Sequence, residues 1–245
     1  MLPVIRPTNL STFEEIACGM STRVGGVSRE PFGMNTSFKV GDESNNVRKN
    51  RAMFTKVLGI DEDRLAIPEQ RHTSIVRRAN GNGTYEQCDA LVTDTPNVFL
   101  SVSVADCAAV FLYDPRNKAV GCVHAGWRGT EQEIVARALA KMEEEFGTQT
   151  RHVFAFVGPA AGSCCYEIGE EVAERFDGEF VERRKKKSYL DFKRANKVQL
   201  RSAGVPEVHI EVHDDCTICG DQTYHSFRRD GKNSGRMMGI IGLKE

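Results

Sequence analysis

The sequence predicts an α+β fold built on mixed sheets, and three observations carry that prediction. Stretches with the two-residue alternation of strands are interleaved with stretches of helical spacing, without the regular βαβ rhythm of a parallel doubly wound sheet. The chain has 245 residues, close to the size at which one hydrophobic core stops growing, and no linker is visible, so a single domain over 1–245 is expected. Hydrophobic residues make up 40% and charged residues 27%, and no apolar run approaches the roughly 18 residues of a membrane helix, so the chain reads as globular and outside the membrane.

The N-terminal segment Met1-Leu-Pro-Val-Ile-Arg-Pro7 lacks the charged-then-apolar pattern of a signal peptide. A cytoplasmic location and eight reduced cysteines are the expectation. Residues 46–58 read as a helix, with Val47, Met53, Phe54, Val57 and Leu58 on one stripe and Gly59 closing it. Residues 98–104 alternate as a strand. The runs 108–113 and 119–124 flank the turn chemistry of Asp114-Pro-Arg-Asn117, which predicts a hairpin with Cys107 and His124 at the same end. Thr130 with Glu133 has the form of a capping box ahead of a helix carrying Ile134, Val135, Ala138, Leu139, Met142 and Phe146 up to Gly147. Residues 152–157 form a buried strand ending at Gly158-Pro159, residues 191–203 a second amphipathic helix stopped by Gly204, and 208–212 and 237–243 further strands. The basic run Arg183-Arg-Lys-Lys-Lys187 reads as a solvated loop between helices.

His72, Cys107 and His124 all lie at the ends of strand-like runs. One thiolate and two imidazoles make a zinc donor set, and three protein ligands leave a coordination position open for chemistry. The same residues admit a second reading, a Cys107 nucleophile activated by His124, with Asp106 or His72 orienting the imidazole; a buried structural thiol is the inert alternative. Cys164-Cys165 and Cys216-x-x-Cys219 look like half-sites of a zinc knuckle or redox pair, but one pair is adjacent and the two stand some fifty residues apart, so they are not expected to join. One metal ion per chain is the expectation. Arg23-Val-Gly-Gly26 and Trp127-Arg-Gly129 each join a guanidinium to flexible backbone, which suits phosphate or carboxylate. No P-loop and no G-x-G-x-x-G occurs. With 33 basic and 34 acidic residues no global field draws the chain to nucleic acid, which leaves small molecules as the expected partners.

Several strings together resemble the YfiH/YlmD family, long labelled multicopper polyphenol oxidoreductase or laccase-like and related to the human protein FAMIN. They are Thr22-Arg-Val-Gly-Gly-Val-Ser28, Asn50-Arg51, Ala105-Asp-Cys107, His124-Ala-Gly-Trp-Arg-Gly129, Gly158-Pro159, Cys164-Cys-Tyr-Glu167, Cys216-Thr217 and Ser226-Phe-Arg-Arg-Asp-Gly231 through Gly235-Arg-Met237. The resemblance implies a CNF1/YfiH-like four-layer α/β/β/α sandwich with mixed sheets. It also implies Zn²⁺ on His72, Cys107 and His124, and purine nucleoside phosphorylase activity with adenosine deaminase and methylthioadenosine phosphorylase side activities. Adenosine, inosine or guanosine would be cleaved with phosphate to base and ribose 1-phosphate, Arg51, Arg128 and Arg23 binding the anion. For deamination, zinc would lower the pKa of a water to about 7 for attack on purine C6. Two positions depart from the family pattern. Thr73 follows His72 where a Gly is usual, which bears on the backbone beside the ligand, and His225 replaces an aromatic, which bears on substrate choice.

Three rival functions remain open at this level: a metal-free Cys–His hydrolase or deamidase, a copper-dependent polyphenol oxidase, and a binding module without turnover. The Cys107 site would also take Cu²⁺, but the chain has only six His, at 72, 124, 152, 209, 213 and 225, few for a multicopper oxidase.

Overall fold

The computed structural model describes residues 2–245. Two six-stranded mixed sheets lie face to face, with one helix outside the first and two outside the second, giving four layers in the order α/β/β/α. In spatial order the first sheet runs Val4–Ile5, Ile16–Ser21, Met237–Leu243, Phe99–Val104, Leu65–Pro68 and Gly83–Tyr85. The second runs Ile210–Val212, Phe154–Val157, Ala108–Asp114, Ala119–Ala125, Ala90–Thr93 and Val76–Arg78.

The central strands are buried along their whole length because both faces are covered. Along Ala108–Asp114, the side chains of Ala109, Phe111 and Tyr113 enter the core between the sheets, while those of Ala108, Val110 and Leu112 meet the outer helices. That two-sided burial explains why the strand reads as a continuous apolar run. The helix Ser44–Leu58 covers the first sheet through Phe54 and Leu58. Gly59, at φ 72°, ends it in the left-handed conformation that glycine takes at little cost. The helices Ile134–Phe146 and Phe192–Ser202 cover the second sheet.

The predicted hairpin forms, with Ala109 opposite His124 and Val110 opposite Val123. The helices expected at 46–58, 134–146 and 191–203 occur at Ser44–Leu58, Ile134–Phe146 and Phe192–Ser202. The strands expected at 152–157 and 208–212 shorten to Phe154–Val157 and Ile210–Val212, each entered through a 3₁₀ turn. Two local expectations are corrected. No capping box forms at Thr130 and Glu133: Thr130 sits inside the short helix Trp127–Glu131 and its hydroxyl accepts a hydrogen bond from Asn196 at 2.9 Å, while Glu133 is left-handed at φ 59° with no side-chain cap. The basic run is not a loop between helices. It contains the turn of a hairpin, Val181–Arg184 with Lys187–Leu190, in a small three-stranded sheet; Lys185 and Lys186 both have positive φ there, the geometry of a tight two-residue hairpin turn. Among the described residues, no helix is long and apolar enough to cross a membrane.

Candidate active site and metal centre

His72, Cys107 and His124 converge at one end of the space between the sheets. Cys107 lies in the connection between Phe99–Val104 of the first sheet and Ala108–Asp114 of the second, and His124 near the end of the next strand. His72 comes from the segment 69–75, between strands that also belong to different sheets. Their ligand atoms lie within 4.8 Å of one another, and the two imidazoles meet edge to face with centroids 4.9 Å apart. His72 is exposed, Cys107 half-buried and His124 buried.

Asp89 organises this cluster. Fully buried, it accepts from His124 Nδ1 at 2.8 Å and from the N–H groups of Arg71, His72 and Thr73 at 3.0, 3.0 and 2.7 Å, and from the Thr73 hydroxyl at 2.8 Å. Burial would raise its pKa, but His124 and the Thr73 and Arg71 amides overcome that and hold it well below the carboxylate range. The carboxylate occupies His124 Nδ1 and leaves Nε2 as the ring's free donor atom, the arrangement that fixes a metal-binding imidazole. Gln70 pins the same segment, exchanging two 2.8 Å hydrogen bonds with the backbone of Ser103.

The bare side chains form an ion pair. Burial opposes the Cys107 thiolate, yet His124 and His72 bring its pKa down to about 6; burial likewise opposes the His124 imidazolium, yet Cys107 and Asp89 bring it up to about 9. This donor set fits a divalent N/S-loving ion: the thiolate is at hand, both rings face it, and one ring is oriented from behind. Gly126 is required by close approach, because a Cβ there would stand 2.9 Å from Cys107 Sγ and 3.3 Å from a His72 ring carbon.

Beside the cluster lies a cavity of about 550 Å³. Arg51, Arg128, Arg228, Arg236 and Lys39 line it, together with a single acid, Asp106. Asp106 is not the orienting group for His124: its oxygens are taken by the Thr217 hydroxyl at 2.7 Å and the Arg228 N–H at 2.6 Å, and Asp89 holds the ring instead. Arg51 is seated on the Phe38 ring and donates to Thr36 O at 2.7 Å, and Arg128 lies over Trp127. Arg23 is elsewhere: Glu30 pairs with it at 2.9 Å and Asp221 O accepts from it at 2.8 Å, outside this cavity. Arg23 therefore stands apart from Arg51 and Arg128.

The two departures from the family pattern resolve locally. His72 itself, at φ 58°, takes the left-handed conformation, and Thr73 adds two hydrogen bonds to Asp89. His225 is fully buried, away from the cavity lining, and burial, with Arg23 and Arg236, pushes it down to about 3, so it is neutral and does not contact substrate space. Sequence reasoning missed Asp89, Gln70, Tyr166, Phe227, Arg228 and Arg236. The last three sit in the Ser226–Met237 strings, where paired arginines beside a glycine were the available signal. The structure also overturns the expectation for the other cysteines, because Cys164, Cys165, Cys216 and Cys219 form a second cluster.

The family described as multi-copper polyphenol oxidoreductase laccase matches residues 17–244. A purine nucleoside phosphorylase of Deinococcus radiodurans is 36% identical over 99% of this chain and 93% of its own length. Adenosine deaminase RL5, from an unknown prokaryotic organism, is 33% identical over 83% of this chain and 84% of its own. The crystal structure of YlmD from Geobacillus stearothermophilus superposes with a TM-score of 0.90 at 30% identity, covering 95% of this chain and 93% of that one.

Proposed function

Because the chain belongs to the multi-copper polyphenol oxidoreductase laccase family, also called the YfiH family, whose named relatives include purine nucleoside phosphorylases and an adenosine deaminase, we propose that it is a zinc-dependent purine nucleoside phosphorylase. In this reading it cleaves adenosine, inosine or guanosine with phosphate, works in the cytoplasm, and carries adenosine deaminase and methylthioadenosine phosphorylase side activities. The observation that carries the proposal is the charge of the cavity: four guanidiniums and Lys39 face it with one acid whose oxygens are already occupied. Such a surface recognises an anion of phosphate type.

His72, Cys107 and His124 would hold the metal. When bound, zinc supplies a Lewis acid for the departing base and, in deamination, for activating water. Arg128, Arg51 and Arg236 hold phosphate against one face of the ribose, so that a phosphate oxygen forms the new bond to C1′ as the bond from C1′ to the purine breaks and its electron pair leaves with the base. Phe38 and Phe227 stand exposed at the cavity, with Arg51 and Arg236 over their rings, and offer the remaining apolar ring surface for contact with a purine. Tyr166 also lines it; burial first, then the nearby Cys107 thiolate, pushes its pKa up to about 12, so its hydroxyl remains a donor.

The test is a nucleoside panel with and without phosphate, with metal content measured on the same sample. Phosphate-dependent release of base with ribose 1-phosphate is expected, whereas equal turnover in phosphate-free buffer would identify a hydrolase. One observation favours that second reading: Cys107, His124 and Asp89 also make a thiolate–imidazole–carboxylate relay. Protection of Cys107 from alkylation by zinc, with activity retained, would count against it.

A further inference from the structure

We propose that Cys164, Cys165, Cys216 and Cys219 form a second, structural metal site that holds Zn²⁺ as a tetrathiolate. The four sulfurs, all free thiols, lie within 4.8 Å of one another. Cys219 Sγ is 3.0 Å from Cys165 Sγ and 3.5 Å from Cys164 Sγ. Four sulfurs at the usual Zn–S length of about 2.3 Å stand about 3.8 Å apart at the corners of a tetrahedron, so the cluster is at the scale of a filled site and needs shifts of only a fraction of an ångström to about one ångström.

The backbone around Cys216 carries the second line of argument. Its sulfur accepts the Gly162 N–H at 3.2 Å. Cys216-Thr-Ile-Cys219 is followed by a turn closed by the Gly220 N–H to Cys216 O bond of 2.9 Å, which brings two thiolates toward one ion, and the Gly162 amide spreads the charge of the first onto a backbone dipole. Gly162 is needed for the approach, since a Cβ there would meet Cys216 Cβ at 3.2 Å and Cys164 Sγ at 3.3 Å.

Charge balance points the same way. A divalent ion with four thiolates carries a net charge of −2, and three cations from neighbouring elements reach the carbonyls of the same loops; Arg229 and Arg184 are also paired with Asp230 and Glu182, which leaves Lys193 as the one without a carboxylate partner among the described residues. Arg184 donates to the carbonyls of Ser163 and Cys164; Arg229 donates to those of Thr217 and Ile218 at 3.0 and 3.1 Å. Buried Lys193 is held by the carbonyls of His213, Asp214 and Asp215 at 2.9, 3.1 and 3.0 Å.

The site would have a defined structural task. It clips the loop after Phe154–Val157 to the segment after Ile210–Val212, which touch otherwise through the Ala160–Cys216 bridge and the Thr217 N–H to Ala160 O bond of 3.1 Å. The first loop leads into Tyr166, and the second places Thr217 on Asp106, the neighbour of Cys107. Clipping them together braces one wall of the active-site cavity.

The test reads metal, not turnover, so it stands apart from the phosphorylase assignment. Chain purified without chelator is expected to hold two zinc ions. Cys107→Ser is expected to keep one, and Cys107→Ser combined with Cys219→Ser none. Because the combined variant can fail to fold, the Cys107→Ser protein is also stripped and refilled with Co²⁺, where sulfur-to-cobalt charge transfer and the intense visible bands of a tetrahedral tetrathiolate are expected. A Cys107→Ser chain that binds neither zinc nor cobalt in this way would overturn the proposal, as would a Cys165–Cys219 disulfide found in the freshly isolated protein by mass spectrometry.

Discussion

Asp89 bears more of the site's geometry than any proposed ligand, and nothing in the sequence marks it. It follows Cys88 in an ordinary polar stretch, and its partners lie at Arg71–Thr73 and at His124, on either side of it in the chain. By contrast, Cys107 and His124 were legible because Cys107 lies just past the alternating run 98–104 and His124 ends the apolar run 119–124. Replacing Asp89 by Asn keeps the volume and removes the charge that four N–H or O–H donors and an imidazole address. Zinc affinity is expected to fall about 10- to 100-fold, and the fold to lose about 3 kcal/mol, the scale of breaking a buried charged pair, measurable by competition with a chelator and by denaturant unfolding. The ion pair makes a further prediction. The Cys107 pKa is depressed, so its contribution to stability is lost as pH falls through about 6; the His124 pKa is raised, so its contribution is lost as pH rises through about 9. Between those limits the metal-free site is thiolate with imidazolium, and zinc must displace the His124 proton but none from Cys107. Calorimetric titration in buffers of different ionisation enthalpy at neutral pH, with the four-cysteine site already filled, is expected to show one proton released at this centre in wild type; release of two would show that Cys107 holds a proton in the metal-free site.

At the scale of elements, the hairpin Ala108–Asp114 with Ala119–Ala125 does what its sequence announced, because its turn chemistry and its apolar runs agree. Where local signals disagreed with tertiary demands, the tertiary demands won. Thr130 and Glu133 have capping-box spacing, yet Thr130 is drawn into the packing of the Phe192–Ser202 helix by Asn196 and by Gln199, whose side chain donates to Thr130 O at 2.7 Å. The four-cysteine cluster escaped notice because a bridge between loops some fifty residues apart has no periodicity to read. Gly126, where the Ala119–Ala125 strand hands over to the Trp127–Glu131 helix, is the sharpest elemental test. Gly126→Ala puts a methyl 2.9 Å from Cys107 Sγ, so zinc affinity is expected to drop at least tenfold, while circular dichroism and the second, four-cysteine site stay unchanged. Arg128→Ala, on the same short helix, is expected to raise KM for phosphate with zinc content intact, since its guanidinium faces the cavity and holds no element in place.

In the whole molecule, the first site sits where the chain passes between sheets. Mixed sheets followed from the irregular alternation of strands and helices; the four-layer stacking came only from family resemblance, since periodicity says which face of a strand is apolar but not which sheet will cover it. His72 and Cys107 belong to connections that cross from one sheet to the other, and His124 to the second sheet. An ion held by all three therefore ties the two halves of the sandwich together, and its binding energy becomes folding energy. At a free metal concentration one hundred times its Kd, a ligand of the folded state alone adds about 2.7 kcal/mol, which for a domain of this size corresponds to a Tm rise of several degrees. Thermal unfolding of metal-depleted protein is expected to shift upward in steps as zinc is restored, one step belonging to each site. In Cys107→Ser the step due to the inter-sheet site should vanish and the other remain. A Tm indifferent to zinc in the wild-type chain would mean that neither cluster binds the ion tightly in the folded state, and would remove the metal from the account of both fold and function.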